Sequence, residues 1–143
     1  KNLEKIMFTK NNRNISVEKA MLSIEDIPIL NETTILKEPI DEMCKYKLGI
    51  VCIIGKDFKL KGIITDGDLR RKLLYSQKPL SALMVEDSIN MCIKRPKTIS
   101  PKIKLLNAIE VMEKAKIWDL PVINKNRKLL GMIHLHNAIK YLK

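Results

Sequence analysis

The chain repeats itself. Displacing the sequence by 69 positions aligns Pro28–Leu74 with Lys97–Lys143 without a gap, and 12 of the 47 pairs are identical. The identities are Leu36/Leu105, Ile40/Ile109, Met43/Met112, Lys45/Lys114, Lys47/Lys116, Ile54/Ile123, Lys56/Lys125, Lys59/Lys128, Leu60/Leu129, Gly62/Gly131, Ile64/Ile133 and Leu73/Leu142. Conservative pairs such as Ile53/Val122 and Asp41/Glu110 lie between them. A fixed period that matches apolar and turn positions means that each copy is one supersecondary unit, so the fold must be built from two equivalent pieces.

Each copy reads in the same order. A short extended segment, Ile27–Leu30 or Lys97–Ser100, precedes a helix with apolar residues at Leu36, Ile40, Met43 or Leu105, Ile109, Met112, the spacing of one helical face. Pro39 falls in the first helical turn, where its missing N–H does no harm. The runs Ile50–Ile54 and Leu120–Ile123 are short and β-branched, as buried strands are. The turns Gly55-Lys56-Asp57 and Asn124-Lys125-Asn126 offer residues that tolerate positive φ. A second strand, Leu60–Ile64 or Leu129–Ile133, carries the matched glycine, and a last helix begins near Asp68 or Asn137, both good N-cap residues.

The order is β-α-β-β-α, an α/β (α+β) architecture. Between the copies, Pro79 introduces a short apolar helix over Leu80–Val85. A copy of roughly 60 residues buries little surface alone. The two are therefore expected to pack sheet to sheet about a pseudo-twofold axis, with equivalent clefts between them. The expected boundaries are a tail over 1–15, one copy over 16–80 and the other over 81–143.

Composition narrows the function classes. Hydrophobic residues make up 45% and charged residues 30%, ordinary for a globular chain, while only 4% is aromatic. No apolar run approaches the ~18 residues needed to span a bilayer, and the N-terminus carries no hydrophobic signal segment. Cys44, Cys52 and Cys92 are odd in number and far apart, which fits a reducing cytoplasm and a buried Cys52 better than a disulfide framework. The net charge of +11 raises nucleic acid as a partner. Yet the lysines are spread along the chain among core-spaced apolar residues. The denser runs Arg70-Arg71-Lys72, Lys94-Arg95-Pro96-Lys97 and Lys125 to Lys128 have no neighbouring aromatics for base stacking. Solvated faces or an anionic small molecule account for the charge better.

The tandem β-α-β-β-α pattern, with Gly62-Ile-Ile-Thr65-Asp-Gly-Asp68 closing the first copy, resembles a CBS domain pair, or Bateman module, from about Ser16 to Leu142. In that family Gly-x-x-Ser/Thr-x-x-Asp contacts the ribose of an adenosine nucleotide, which Thr65 and Asp68 match in full. A carboxylate can accept from two ribose hydroxyls, and a helix N-terminus favours phosphate. The second copy has His134 and Asn137 there, which loses the carboxylate. The resemblance further implies ligand contacts at Ile29 and Thr98, in the opening extended segments, and near Trp118 and Asp119, where the family places contacts to the base. It also implies homodimers formed through the CBS helices, with a tetramer as the alternative.

Four stretches are similar to the C-terminal CBS region of arabinose-5-phosphate isomerases, enzymes of Kdo and lipopolysaccharide biosynthesis. They are Gly62-Ile-Ile-Thr-Asp-Gly-Asp-Leu-Arg-Arg71, Gly131-Met-Ile-His-Leu-His-Asn137, Arg95-Pro-Lys-Thr-Ile99 and Ala20-Met-Leu-Ser-Ile-Glu-Asp-Ile-Pro-Ile29. A related Thr-Asp-Gly-Asp-Ile-Arg-Arg occurs in CBS pairs attached to sugar-phosphate nucleotidyltransferases, so both hosts stay open. Catalysis in the isomerases belongs to a domain outside this sequence.

Each candidate has a plainer reading. Thr65 and Asp68 can cap a helix. Arg70 and Arg71 sit near a helix start, against the dipole, which favours an anionic partner for them. His134 and His136, two apart in an extended segment, could share a face, but two imidazoles alone make a poor metal site, and a polar wall of the nucleotide or sugar pocket is the better reading. Trp118 reads first as a partly buried packing residue, with stacking as the alternative. No nucleophile–base pair or carboxylate dyad stands at a catalytic spacing, so no catalytic and no metal residues are assigned. The resulting expectation is a non-catalytic module that needs no cofactor and senses a nucleotide or sugar phosphate. Its effector would be an adenosine nucleotide or a CMP-activated sugar, its output a catalytic domain in the same polypeptide. A purely structural dimerisation role is the rival.

Overall fold

The computed structural model describes residues 14–142. The expected tail over 1–15 lies almost wholly outside them. In chain order the elements are α1 (Val17–Ala20), β1 (Leu22–Ser23), β2 (Ile29–Asn31), α2 (Lys37–Tyr46), β3 (Ile50–Ile54), β4 (Leu60–Thr65), α3 (Asp66–Tyr75), α4 (Leu80–Met84), α5 (Ser88–Met91), α6 (Leu105–Ala115), β5 (Asp119–Ile123), β6 (Leu129–His134) and α7 (Leu135–Ala138). A 3-10 turn over Ile139–Leu142 continues α7. The mixed α/β class and the repeated order of elements hold.

The chain forms two compact units that do not follow the sequential boundary at 80/81. One comprises residues 26–96, the other residues 14–25 together with 97–142. The second repeat thus recruits residues 17–23, and the first keeps residues 81–96.

In the 26–96 unit the sheet order is β2-β3-β4, with β2 parallel and β4 antiparallel to β3. Leu36, Val51, Ile53, Ile64, Leu69 and Cys92 form its core, with Ile40 and Met43 packed against them. Cys52 is also fully buried. The segment after α5 returns along the free edge of β4: Ile93 N–H donates to Ile63 O at 2.8 Å and Ile63 N–H to Ile93 O at 3.0 Å.

The other unit repeats this arrangement. Its sheet order is β1-β6-β5, and Ile99 adds a parallel bridge to Val122. Leu22 pairs antiparallel with Met132, the equivalent of Ile63, so β1 plays the part of Ile93. Likewise α1 answers α5, and the bridge Ser16–Lys104 answers Asp87–Ile35. Val17, Ala20, Leu105, Ala108, Ile109, Met112, Leu120, Val122, Ile133, Ala138 and Leu142 make the core. Each unit is closed by the short helix and extended segment that precede the next copy.

This explains the matched glycine. A Cβ at Gly62 would lie 2.5 Å from Ile93 O and 2.6 Å from Cys92 Sγ; one at Gly131 would lie 2.4 Å from Leu22 O and 2.7 Å from Met21 Sδ. Only a residue without a side chain lets the closing segment approach.

Local signals hold in part. Pro39 is buried in the first turn of α2. The identical pair Lys47/Lys116 ends the matched helices α2 and α6 in the left-handed region, at φ 55° and 56°. Positive φ in the hairpins falls on Asp57, Phe58 and Arg127, whereas Gly55 is extended at φ −115°. In the second hairpin the Asn124 side-chain oxygen accepts from Asn126 N–H and Lys128 N–H, both at 2.9 Å, so Asn124 shapes the turn without itself turning left-handed.

Candidate ligand site

In each unit three chain ends converge at one end of the sheet. For residues 26–96 these are the start of β2 at Ile29, the start of β3 at Ile50 and the end of β4 at Thr65, which faces Ile50 in the antiparallel register. The ten-residue α3 begins directly after Thr65.

The helix starts three residues before the expected place. Thr65 is the N-cap and Asp68 the third helical residue, and together they form a reciprocal capping box. Asp68 N–H donates to Thr65 Oγ1 at 3.1 Å, Thr65 Oγ1 donates to Asp68 Oδ2 at 2.7 Å, and Thr65 N–H reaches the same oxygen at 3.3 Å. The other oxygen, Oδ1, accepts from Arg71, while Arg70 pairs with Asp66 at 3.2 Å. The arginines therefore lie in the second turn beside carboxylates one turn earlier, which removes the conflict with the dipole read from the sequence. Both guanidinium groups remain mostly exposed. Among the predicted residues, Thr65, Asp68 and Arg71 form one hydrogen-bonded group. Ile29 is half-buried in β2 at the same sheet end.

The other unit carries different chemistry on the same frame. β6 ends at His134, which faces Asp119 across the ladder, and the pair occupies the positions of Thr65 and Ile50. His134 Nδ1 and Asp119 Oδ1 are 2.7 Å apart. Asp119, which the resemblance places with Trp118 among the contacts to the base, stands where the first copy has Ile50, and its pairing with His134 follows only from the strand register. His136 belongs to α7 rather than to the strand and is exposed, so the two histidines do not share a strand face. Among the described residues no group of three or more His, Cys, Asp or Glu could hold a metal ion.

Asn137 is half-buried in α7, whose N-cap is His134 rather than Asn137. Thr98 is half-buried immediately before the Ile99 bridge. Trp118 is not a packing residue: it is 69% exposed. Its carbonyl accepts Leu135 N–H at 2.9 Å, as the Gly49 carbonyl accepts Asp66 N–H at 2.9 Å, so Trp118 stands where the first copy has glycine. A Cβ at Gly49 would come within 3.0 Å of the Asp66 carboxyl carbon. Replacing Asp66 by Leu135 accompanies the change from Gly49 to an outward indole.

Among the described residues no helix is long and apolar enough to cross a membrane.

A family model for the CBS domain matches residues 17–75 and 85–143. The arabinose 5-phosphate isomerase KdsD of Francisella tularensis is 32% identical over 130 residues, covering 88% of this chain and 37% of that protein. The inosine-5'-monophosphate dehydrogenase of Aquifex aeolicus is 32% identical over 144 residues, covering 92% of this chain and 28% of the dehydrogenase. The chain thus spans about a third of the length of these curated relatives. The crystal structure of CBSX2 in complex with AMP superposes with a TM-score of 0.77 at 19% identity, over 88% of this chain and 94% of CBSX2. With both repeats matched by the family and the same fold recovered in a solved CBS protein, this chain belongs to the CBS domain family as a tandem pair.

Proposed function

We propose that this CBS pair is the non-catalytic sensor of a larger cytoplasmic enzyme and that it binds a nucleotide or phosphorylated sugar at the Thr65–Asp68–Arg71 group. One observation carries the reading. The Asp68 carboxylate is held on Oδ2 by the capping box, while among the described residues its Oδ1 is engaged with a long, exposed arginine side chain. Ligand hydroxyls can displace Arg71 from Oδ1 without disturbing the cap. The freed guanidinium, with Arg70, is then available to a phosphate, which it matches as a fork.

For the host, an arabinose-5-phosphate isomerase is favoured by the resemblance of Gly62–Arg71 and Gly131–Asn137 and by the identity to the Francisella KdsD. A sugar-phosphate nucleotidyltransferase remains the alternative, and the dehydrogenase relative is equally identical. An adenosine nucleotide is the first effector to try, and a CMP-activated sugar the second, on the logic of feedback by a pathway product. Occupancy can act on a catalytic domain only through different affinities for two states of the module. Calorimetric titration of the wild type and Asp68→Asn with AMP, ATP and a CMP-sugar tests this. Saturable heat with at least one ligand, weakened tenfold or more in the variant, is expected; no heat with all three sinks the reading.

A second reading is a self-association module. Leu73, Leu74 and Tyr75 at the end of α3 and Leu80 and Val85 around α4 are all exposed, Leu74 at 73% and Tyr75 at 78%. Exposed large apolar side chains at the end of one helix and around the next are candidates for an interaction surface. Sedimentation that shows a dimer unmoved by all three ligands would favour this role.

A further inference from the structure

The substituted residues of the second repeat form a device of their own. Asp119 and His134 face each other across β5 and β6, 2.7 Å apart at Oδ1 and Nδ1, and their side chains are only 12% and 27% exposed. An ionised carboxylate can only accept, so the proton of that bond must sit on Nδ1. In the neutral ring Nε2 then carries the lone pair. We propose that Asp119 is a positioning residue that fixes His134 as the Nδ1–H tautomer, so that this unit selects a ligand by a hydrogen-bond donor, a sugar hydroxyl or an exocyclic amine, presented to Nε2.

The contrast with the first repeat supports this polarity. There the apolar Ile50 faces Thr65, whose hydroxyl both donates and accepts within the Asp68 capping box. In the second repeat the neutral amide of Asn137 replaces the carboxylate, and His134 Nε2 adds an acceptor at the strand end. The exposed Trp118 adjoins Asp119 in sequence and is tied through its carbonyl to Leu135, the residue after His134. The ligand half rests on the sensing reading above; the tautomer half does not.

Nitrogen-15 NMR of the full chain above the imidazole titration reads the tautomer directly. With two histidines in the sequence, His136→Gln assigns the signals. The wild type is expected to show a protonated Nδ1 and a bare Nε2 at His134. Asp119→Ile, which restores the residue of the first repeat, is expected to give a tautomer mixture with circular dichroism unchanged. An Nε2–H tautomer in the wild type, or an unaltered tautomer in Asp119→Ile, overturns the proposal.

For the ligand half, adenosine is titrated against the fluorescence of Trp118, the single tryptophan of the chain. Asp119→Ile is expected to weaken adenosine at least tenfold. Equal affinity in wild type and Asp119→Ile removes the ligand half. Adenosine that fails to bind the wild type, alongside the expected tautomer, removes ligand selection and leaves the positioning role standing.

Discussion

Substituting Gly62 by alanine tests the closure of the 26–96 unit at its tightest point. The new Cβ would be placed 2.5 Å from Ile93 O and 2.6 Å from Cys92 Sγ, more than half an ångström inside ordinary contact. The first obstacle is backbone, held by the reciprocal bonds between Ile63 and Ile93 at 2.8 and 3.0 Å. Relief therefore means lifting the closing segment off β4. Losing two backbone hydrogen bonds costs about 1–3 kcal/mol at ~0.5–1.5 each, and forcing a methyl into a packed site costs about 1–3 kcal/mol. The terms overlap, so the expected loss is about 3 kcal/mol.

With a urea dependence of about 2 kcal/mol per molar, the unfolding midpoint falls by roughly 1.5 M. Hydrogen exchange should show Ile63 and Ile93 amides losing protection before the rest of the sheet. Gly55→Ala is the control. Its Cβ would meet Glu32 Oε2 at 2.3 Å and Lys61 Cε at 2.6 Å, but these are ends of flexible side chains, and Gly55 has φ −115°. That variant should lose less than about 1 kcal/mol. Equal midpoints for Gly62→Ala and the wild type would refute the account of the matched glycine, and equal losses at both sites would refute the distinction between backbone and side-chain obstruction.

Other outcomes follow from the same structure. Cys44 is exposed whereas Cys52 and Cys92 are buried, and burial raises the Cys92 thiol against the lowering pull of Lys94, so a thiol reagent should label one cysteine fast and two only on unfolding. Hydrogen bonds from Lys78 and then Lys72 lower the Glu86 carboxyl below its ordinary 4.5. Its contribution is present above pH 4.5 and lost as pH falls through the lowered value, so Glu86→Gln should flatten the acid limb of the stability profile in low salt. Lys47→Gly and Lys116→Gly should each stabilise by about 0.5–1 kcal/mol in urea unfolding, because a non-glycine residue in the left-handed region is disfavoured. Leu74→Glu should shift any sedimenting dimer towards monomer without changing circular dichroism.

The repeat made most of the fold legible. Period and apolar spacing located both long helices, both hairpins and the buried strands, because those features depend on residues close in sequence. Closure did not follow from them. Residues 17–22 and 88–93 are equivalent at a spacing of 71 rather than 69, and not one residue is identical between Ser16–Ile24 and Asp87–Arg95. They are matched by what they do, covering Gly131 and Gly62, which only three-dimensional contact reveals. The glycine pair was visible in the sequence, but its physical reason was a carbonyl 31 residues further on for Gly62 and 109 residues earlier for Gly131. At the site, Thr65 and Asp68 were legible as a spacing. The placement of the cap, the Arg71 contact and Asp119 depend on the helix start and the β5–β6 register.

The departures of the second repeat form a set rather than a decay. Four positions at one end of the sheet change together: Gly49 to Trp118, Ile50 to Asp119, Thr65 to His134 and Asp66 to Leu135. A half-buried imidazole opposite isoleucine would lack a partner, and Asp119 supplies one at 2.7 Å. A side chain at position 49 would crowd Asp66, whereas Trp118 stands beside Leu135 and turns outward. Loss of a binding site predicts independent substitutions with unsatisfied groups left behind. Paired substitutions that satisfy each other predict a second pocket with its own ligand chemistry. The two halves of the pair are thus expected to answer different parts of a ligand, or different ligands, and Asp68→Asn and Asp119→Ile should impair separable binding events in the same chain.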